Sequence, residues 1–298
     1  MKNLRFKTYN LLLQIFSRKI GVGISLVIIG LIFNGCSHWE EEEFFYHSPN
    51  WTSDGRVVFV KEIRVWKWER SIFGESAHIK SERTWLCEVN ADGSGMEEKG
   101  FLFDDPAQGI NSTSSAGDWV VLGDVHYNSI WVIRRDGTGL QKVGEGQNPD
   151  FSPDASKIVY EKPGEGIWIM DRDGGNDHQI IADPDAKYPA WSPDDTLIAY
   201  GYGSVHIYNL IASQQVREFN YLYFPDWYSN GKFVSICASP EYDGGIDIDI
   251  YNDQIDTLRQ ISSGYYLKVS SDGNKFVAYD GSWFVINRDG TGKWYLRP

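Results

Sequence analysis

Pro189–Tyr200 reads PAWSPDDTLIAY. A proline, one variable residue and a tryptophan lead into a polar turn, and an apolar run of strand length follows. Asp194 can accept hydrogen bonds from nearby backbone amides in that turn, and Leu197–Tyr200 is short and apolar, as a buried strand is. The stretch therefore predicts a β-hairpin. Its relatives lie throughout the chain: PNWTSDGRVVF at Pro49–Phe59, PDFSPDASKIVY at Pro149–Tyr160 and PDWYSNGKFVSI at Pro225–Ile236. LKVSSDGNKFVAY at Leu267–Tyr279 keeps the turn without the proline and aromatic, and NSTSSAGDWVVL at Asn111–Leu122 is a degenerate sixth copy. The turn position falls on Asp54, Asp154, Asp194, Asn230 and Asp272, with residue 116 in the degenerate copy, a period of about 44 residues.

A second turn follows in several units, where an apolar strand ends in Asp92-Gly93, Asp136-Gly137, Asp173-Gly174 or Asp289-Gly290. Two hairpins per period make sets of four strands. A four-stranded sheet cannot bury both faces alone, but sheets packed face to face in a closed ring can. The expected fold is therefore all-β, a six-bladed β-propeller of four-stranded antiparallel blades following an N-terminal signal segment. Trp51, Phe151, Trp191 and Trp227 recur at one position and are expected between blades. The motif resembles the P-x-W-S-P-D-G signature of the TolB-like propellers with WD40-like (PD40) repeats, over about residues 44–298. That resemblance implies a ring with a central channel and leaves function open, because such rings serve as scaffolds, sensors and enzymes.

Residues 1–35 hold Lys2, Arg5, Lys7, Arg18 and Lys19 and no acid, and the apolar run Ile24–Phe33 ends at Asn34-Gly35-Cys36. This is the order of a signal peptide, with a core too short to span a bilayer comfortably. Gly35-Cys36 resembles the lipobox of bacterial lipoproteins. It implies a signal peptide at 1–35, lipidation of Cys36, a lipidated acidic tether at 36–43 and the propeller at 44–298. Ser37 in place of an aspartate favours the outer membrane, periplasmic or surface-exposed, with membrane contact through the lipid alone. Glu40–Glu43 resembles an acidic export tag or a solvated tether.

The chain carries −13 overall and about −18 without the leader. Such a field opposes nucleic acid, which is excluded as a partner. An odd cysteine count, Cys36, Cys87 and Cys237, gives no disulfide framework, and the latter two read as buried apolar residues. No G-x-S-x-G elbow is present and the six histidines form no ligand-spaced pair, so no catalytic triad, metal or cofactor is assigned. Asp247 and Asp249 alternate with isoleucines and share a strand face; they read as a solvated outer face, with an acid–base pair as the rival.

Two candidate binding regions remain. Asn148, Tyr188, Phe224 and Tyr266 occupy equivalent places three residues before the repeated aromatic position and are expected to line the channel. Lys61–Arg83 breaks the repeat as a basic, aromatic hairpin turning near Gly74, and Arg64, Trp66, Trp68 and Arg70 are its candidate partner-binding residues. The function expected is a lipid-anchored scaffold of the cell envelope that binds a protein or ligand. A glycan-active propeller enzyme with acids in its channel is the alternative.

Overall fold

The computed structural model describes residues 38–296 except 72–73, 105–108, 230, 253 and 263–265; Cys36, the leader and Asn230 lie outside the described residues. Every regular element among them is a strand. The first sheet is β1 (His38–Trp51), β2 (Val57–Ser71), β3 (Gly74–Val89) and β4 (Glu97–Phe103). The second is β5 (Ile110–Ala116), β6 (Trp119–Asp124), β7 (Ser129–Arg134) and β8 (Gln141–Glu145). The third is β9 (Gln147–Phe151), β10 (Lys157–Lys162), β11 (Gly166–Asp171) and β12 (His178–Ile181). A longer sheet holds β13 (Ala190–Trp191), β14 (Leu197–Tyr200), β15 (Tyr202–Asn209), β16 (Gln214–Ser229), β17 (Lys232–Ala238), β18 (Asp243–Asp249) and β19 (Gln254–Ser262). The last is β20 (Leu267–Val269), β21 (Lys275–Tyr279), β22 (Trp283–Asn287) and β23 (Trp294–Tyr295). In every sheet the strands neighbour one another in chain order and pair antiparallel.

The repeated turn has a side-chain mechanism. Ser192 donates its hydroxyl to Asp194 Oδ1 at 2.6 Å and accepts from the Leu197 amide at 2.9 Å. Ser152 with Asp154, Ser270 with Asp272 and Thr52 with Asp54 repeat both bonds. The hydroxyl residue two before the aspartate thus closes the hairpin whose amides the turn leaves unpaired. The Asp-Gly turns are equally uniform, with the carboxylates of Asp92, Asp136, Asp173 and Asp289 each accepting an amide two residues on at 2.9 Å. At Gly137, φ is +85° and a Cβ would stand 2.0 Å from the Lys99 carbonyl of the preceding sheet, so only glycine fits there.

The apolar clusters lie between sheets and follow one another around a ring. Val58, Val60 and Leu86 of the first sheet pack on Val120, Leu122 and Ile133 of the second. Val121 and Ile130 then meet Phe151, Ile158 and Met170, and Val159 and Ile167 meet Trp191 and Ile198. Ala199 and Ile207 meet Trp227 and Phe233, and Val234 and Ile236 meet Phe276 and Phe284. The ring closes where Val277, Val285 and Leu296 of the last sheet pack on Trp51, Phe59 and Cys87 of the first. Each repeated aromatic is buried against the repeat unit before its own: Trp51, Phe151, Trp191 and Trp227 are all at most 7% exposed. Cys87 and Cys237 are buried free thiols among these apolar side chains, and burial pushes the Cys87 thiol up to about 12.

Two expectations need correcting. The repeat predicts separate four-stranded sheets throughout, but one sheet has seven strands because β16 serves two hairpins. Its first part pairs with β15 as far as Tyr223, and its second pairs with β17 from Leu222 onward. No glycine or proline interrupts Gln215–Phe224; Asn220 and Tyr221, the latter at φ 63°, only shift the register with β15, and the strand continues past Pro225 into its pairing with β17. The second correction concerns the acidic tether. Residues 38–43 are instead the start of β1, with Glu40 opposite Lys67, Glu41 opposite Trp66 and Glu43 opposite Arg64. Acids facing an aromatic and basic strand have cross-strand partners that a free tether would lack.

Candidate functional site

Four residues singled out from the repeat, Asn148, Tyr188, Phe224 and Tyr266, meet in one cavity, together with Ser112, Asp150 and Lys268. Its walls come from β5, β9, β16, β20 and the segment entering β13, so it lies on the axis of the ring. Asn148, Tyr188 and Phe224 each stand just before a proline and each has positive φ, at 49°, 53° and 55°. Ser48, before Pro49, has the same conformation at 48° and hands its carbonyl to Thr113 Oγ1 at 2.5 Å. Left-handed backbone is uncommon for residues bearing a Cβ, above all for bulky ones. Here it recurs at the same point of four units, where the chain enters the strand beside the axis.

The cavity holds about 30 Å³, room for a water or two. Aromatic packing fills the rest. Tyr188 meets Phe224 edge to face at 4.6 Å, Phe224 lies 5.6 Å from Tyr266, and Tyr202 covers both Tyr188 at 5.8 Å and Phe224 at 5.7 Å. Burial, with Glu161, Tyr266 and Tyr202 nearby, pushes the Tyr188 hydroxyl up to about 12, and burial raises that of Tyr266. Both remain neutral donors at ordinary pH.

The charged groups beside the cavity were not recognised in the sequence. Lys268 Nζ lies 2.7 Å from Asp226 Oδ1, and the other oxygen of Asp226 accepts the Val269 amide at 2.8 Å. Burial alone would lower the Lys268 pKa, but Asp226, aided by Tyr266 and Asp150, outweighs it and holds the ammonium charged. Burial raises the Asp226 carboxyl against the pull of Lys268. Asp150 accepts the Trp191 amide at 2.7 Å, and Ser114 Oγ accepts the Phe151 amide at 3.3 Å. These bonds share a pattern: a side chain from one axial strand satisfies a backbone amide of the next. Axial strands of neighbouring sheets do not pair with each other, so their inward amides need such partners. Asp150 and Asp226 are thereby committed to joining sheets. The Glu161 carboxylate likewise receives Asn148 Nδ2 at 2.9 Å and the Tyr188 amide at 3.3 Å.

Asp247 and Asp249 share a strand face as expected, but it is not a solvated one: each is 7% exposed. Asp247 accepts Tyr228 Oη at 2.9 Å and pairs with Arg288 of the last sheet. Asp249 accepts the Tyr251 amide and Asn252 Nδ2, which lowers its pKa. Asp247 thus joins its sheet to the last one, whereas Asp249 is engaged by the turn that follows β18 and by Lys232 of its own sheet. Among the described residues no group of three or more His, Cys, Asp or Glu side chains is arranged to hold a metal ion.

The arm Lys61–Arg83 is a hairpin, β2 and β3 pairing from Val57 with Val89 out to Ser71 with Gly74, and β1 adds a third strand along it. Its basic residues are largely answered within it. Arg64 pairs with Glu62 and lies over the Phe45 ring at 4.5 Å, Lys67 meets Glu69 at 2.8 Å and Lys80 meets Glu40 at 2.7 Å. Trp66 Nε1 donates to Glu43 at 3.0 Å, and Trp68 stacks on Trp39 at 5.9 Å with ring planes 1° apart. Arg70 sits opposite Glu75 in the ladder; its side chain lies outside the described residues. The cations of this segment are thus answered by acids of β2 and β1, Glu62 and Glu69 within β2 and Glu40 in β1.

No family model and no curated protein matches the chain. Solved structures do. Oligogalacturonate lyase from Vibrio parahaemolyticus aligns at 10% identity over 93% of this chain and 97% of that one, with a TM-score of 0.50. TolB from Acinetobacter baumannii aligns at 10% identity over 85% of this chain and 78% of that one, with a TM-score of 0.56. A chain of the Mitotic Checkpoint Complex aligns at 12% identity over 93% of each, with a TM-score of 0.52. At such identities the likeness is one of fold alone, and with the ring of antiparallel sheets it makes this chain a β-propeller.

Proposed function

We propose that the chain is a lipoprotein of the bacterial cell envelope, anchored through Cys36, whose six-bladed propeller binds a partner protein and does no chemistry in its channel. The blade count treats the seven-stranded sheet as two blades joined by β16. One observation carries the reading: the axial cavity is narrowed by the packed rings of Tyr188, Phe224 and Tyr266, and its carboxylates are spent on neighbouring amides and Lys268. A glycan-cleaving site needs a carboxylic acid within reach of a bound sugar and space for that sugar. A cavity of about 30 Å³ supplies neither. Over the plugged axis stands Tyr202, 59% exposed and backed by Tyr188, Tyr223 and Phe224. A rigidly backed, exposed aromatic is a favoured anchor at protein interfaces.

Affinity capture from native envelopes tests this. Tyr202→Ala should reduce recovery of a co-purifying protein at least tenfold, while Tyr251→Ala, equally exposed at 63% but elsewhere, leaves it unchanged. Equal recovery by both variants would remove the axial face as the binding surface. Cleavage of an envelope glycan, abolished by Asp226→Asn in a still-folded protein, would overturn the scaffold reading altogether.

A further inference from the structure

We infer that the indole face of the arm is a second membrane contact, Trp39, Trp66 and Trp68 seated in the headgroup layer of the bilayer that holds the lipid anchor. This rests on the proposed lipidation of Cys36. β1 opens at His38, and Trp39 is only three residues beyond Cys36. An extended chain covers at most about 3.5 Å per residue, so the Trp39 backbone lies within roughly 10 Å of the lipidated residue. Whatever surface surrounds Trp39 is therefore close to the membrane.

That surface has the composition such a position favours. Trp39 lies opposite Trp68, Trp66 follows on the same face of β2, and Ile79 pairs with Trp66 across the hairpin. The three indoles are partly exposed, and Ile79 is 38% exposed. Indole rings concentrate at bilayer interfaces because an apolar body and a polar N–H each find their preferred medium there. None of these four side chains belongs to a core cluster of the ring, so packing against the propeller does not account for them. Lys80 pairs with Glu40 of β1 and Lys67 with Glu69 of its own strand, while Glu41 and Glu43, on the indole face, accept from Trp39 Nε1 and Trp66 Nε1. A pair of contacts, acyl chains and indoles, fixes the orientation of the arm where a flexible tether would leave it free. β1 then runs about 3.3 Å per residue from Trp39 to His47, so the ring stands roughly 25 Å from the bilayer.

The test uses the full chain, matured in a bacterial host, reconstituted into phosphatidylcholine vesicles with brominated acyl chains. Acylation is scored separately by labelled palmitate in the wild type and in Cys36→Ala. In acylated protein the bromines should quench the emission belonging to three of the twelve tryptophans, and this quenched component should vanish in the variant Trp39→Phe/Trp66→Phe/Trp68→Phe. Reading the wild type first makes the result independent of whether the triple variant folds. Acylated, vesicle-bound protein with no quenched component would overturn the inference and leave the anchor standing. So would quenching that persists in a folded triple variant, or indoles shielded only after an envelope protein is added. An unacylated chain that floats free of the vesicles would overturn both.

Discussion

Glu82 and Glu62 face each other across the arm, 3% and 5% exposed, with His47 Nε2 2.9 Å from Glu62 and Arg64 between the acids. Burial, then the hydrogen bond and charge of Glu62, push the Glu82 carboxyl from an ordinary 4.5 to about 7. Burial opposes ionisation of Glu62 too, but His47 and Arg64 hold its pKa below the ordinary value. One proton is thus retained on Glu82 and donated to its neighbour. The folded chain binds more protons than the unfolded one between these values, so the contribution of Glu82 to stability is full below about 4.5 and declines as pH rises through about 7. Glu82→Gln keeps a donor and removes the charge. Hydrogen exchange of the arm amides should accelerate between pH 6 and 8 in the wild type and lose that excess acceleration in the variant; identical pH profiles would deny the shared proton. Neither acid stood out in the sequence, since strand register alone brings residues twenty apart into contact. Asn148, Tyr188 and Phe224 were legible because each precedes a repeated proline. Asp150, Asp226 and Lys268 carry no signal in the repeat because their position varies, being Asn50 and Ala190 in other copies, and a latch between sheets has meaning only once the neighbours are known.

Strands carry the next level. The alternation of turn and apolar run located the hairpins well, since each Ser/Thr-x-Asp turn builds its own hydrogen bonds from residues two to five apart. Elements that depend on distant partners were not visible: Glu40–Glu43 reads as a solvated charge run until β2 is placed beside it. The arm and the ring also differ in what holds them. Trp68 stacks on Trp39 in a three-stranded ribbon away from the ring's core, whereas Trp191 fills the space between two sheets. A cross-strand aromatic pair is worth about 0.2–1 kcal/mol, while emptying a buried indole site costs about 3–5 kcal/mol. Trp68→Ala should therefore raise exchange in the arm and leave the main thermal transition nearly in place, and Trp191→Ala should lower that transition steeply. A large drop in melting from Trp68→Ala would mean that the arm is packed on the ring.

At the scale of the molecule, a continuous chain joins each sheet to the next except where the last meets the first. No strand pairing crosses that boundary among the described residues. Side chains close it: the cluster of Trp51, Phe59 and Cys87 with Val277 and Val285, Trp51 Nε1 to the Lys268 carbonyl at 3.4 Å, and Trp294 Nε1 to the Ala91 carbonyl at 2.9 Å, with the Trp294 ring against Gly93. Trp294→Ala should cost about 2 kcal/mol, less than a fully buried indole. Exchange should then quicken in β23 and in the first sheet while β9–β12 stay protected; uniform quickening would mean that the seam is no weaker than the other joints. The repeat made the ring legible, but its closure rests on β23, which carries no copy of the motif. β1 has a further consequence, a mechanical one. It runs from the arm to the seam with one irregularity between His47 and Asn50, held along one edge by twelve residue pairs with β2. A pull on its N-terminal end loads that ladder in shear, many bonds sharing the force at once, and delivers what remains to the clasp between the first and last sheets, so the ring under tension opens there like a bracelet.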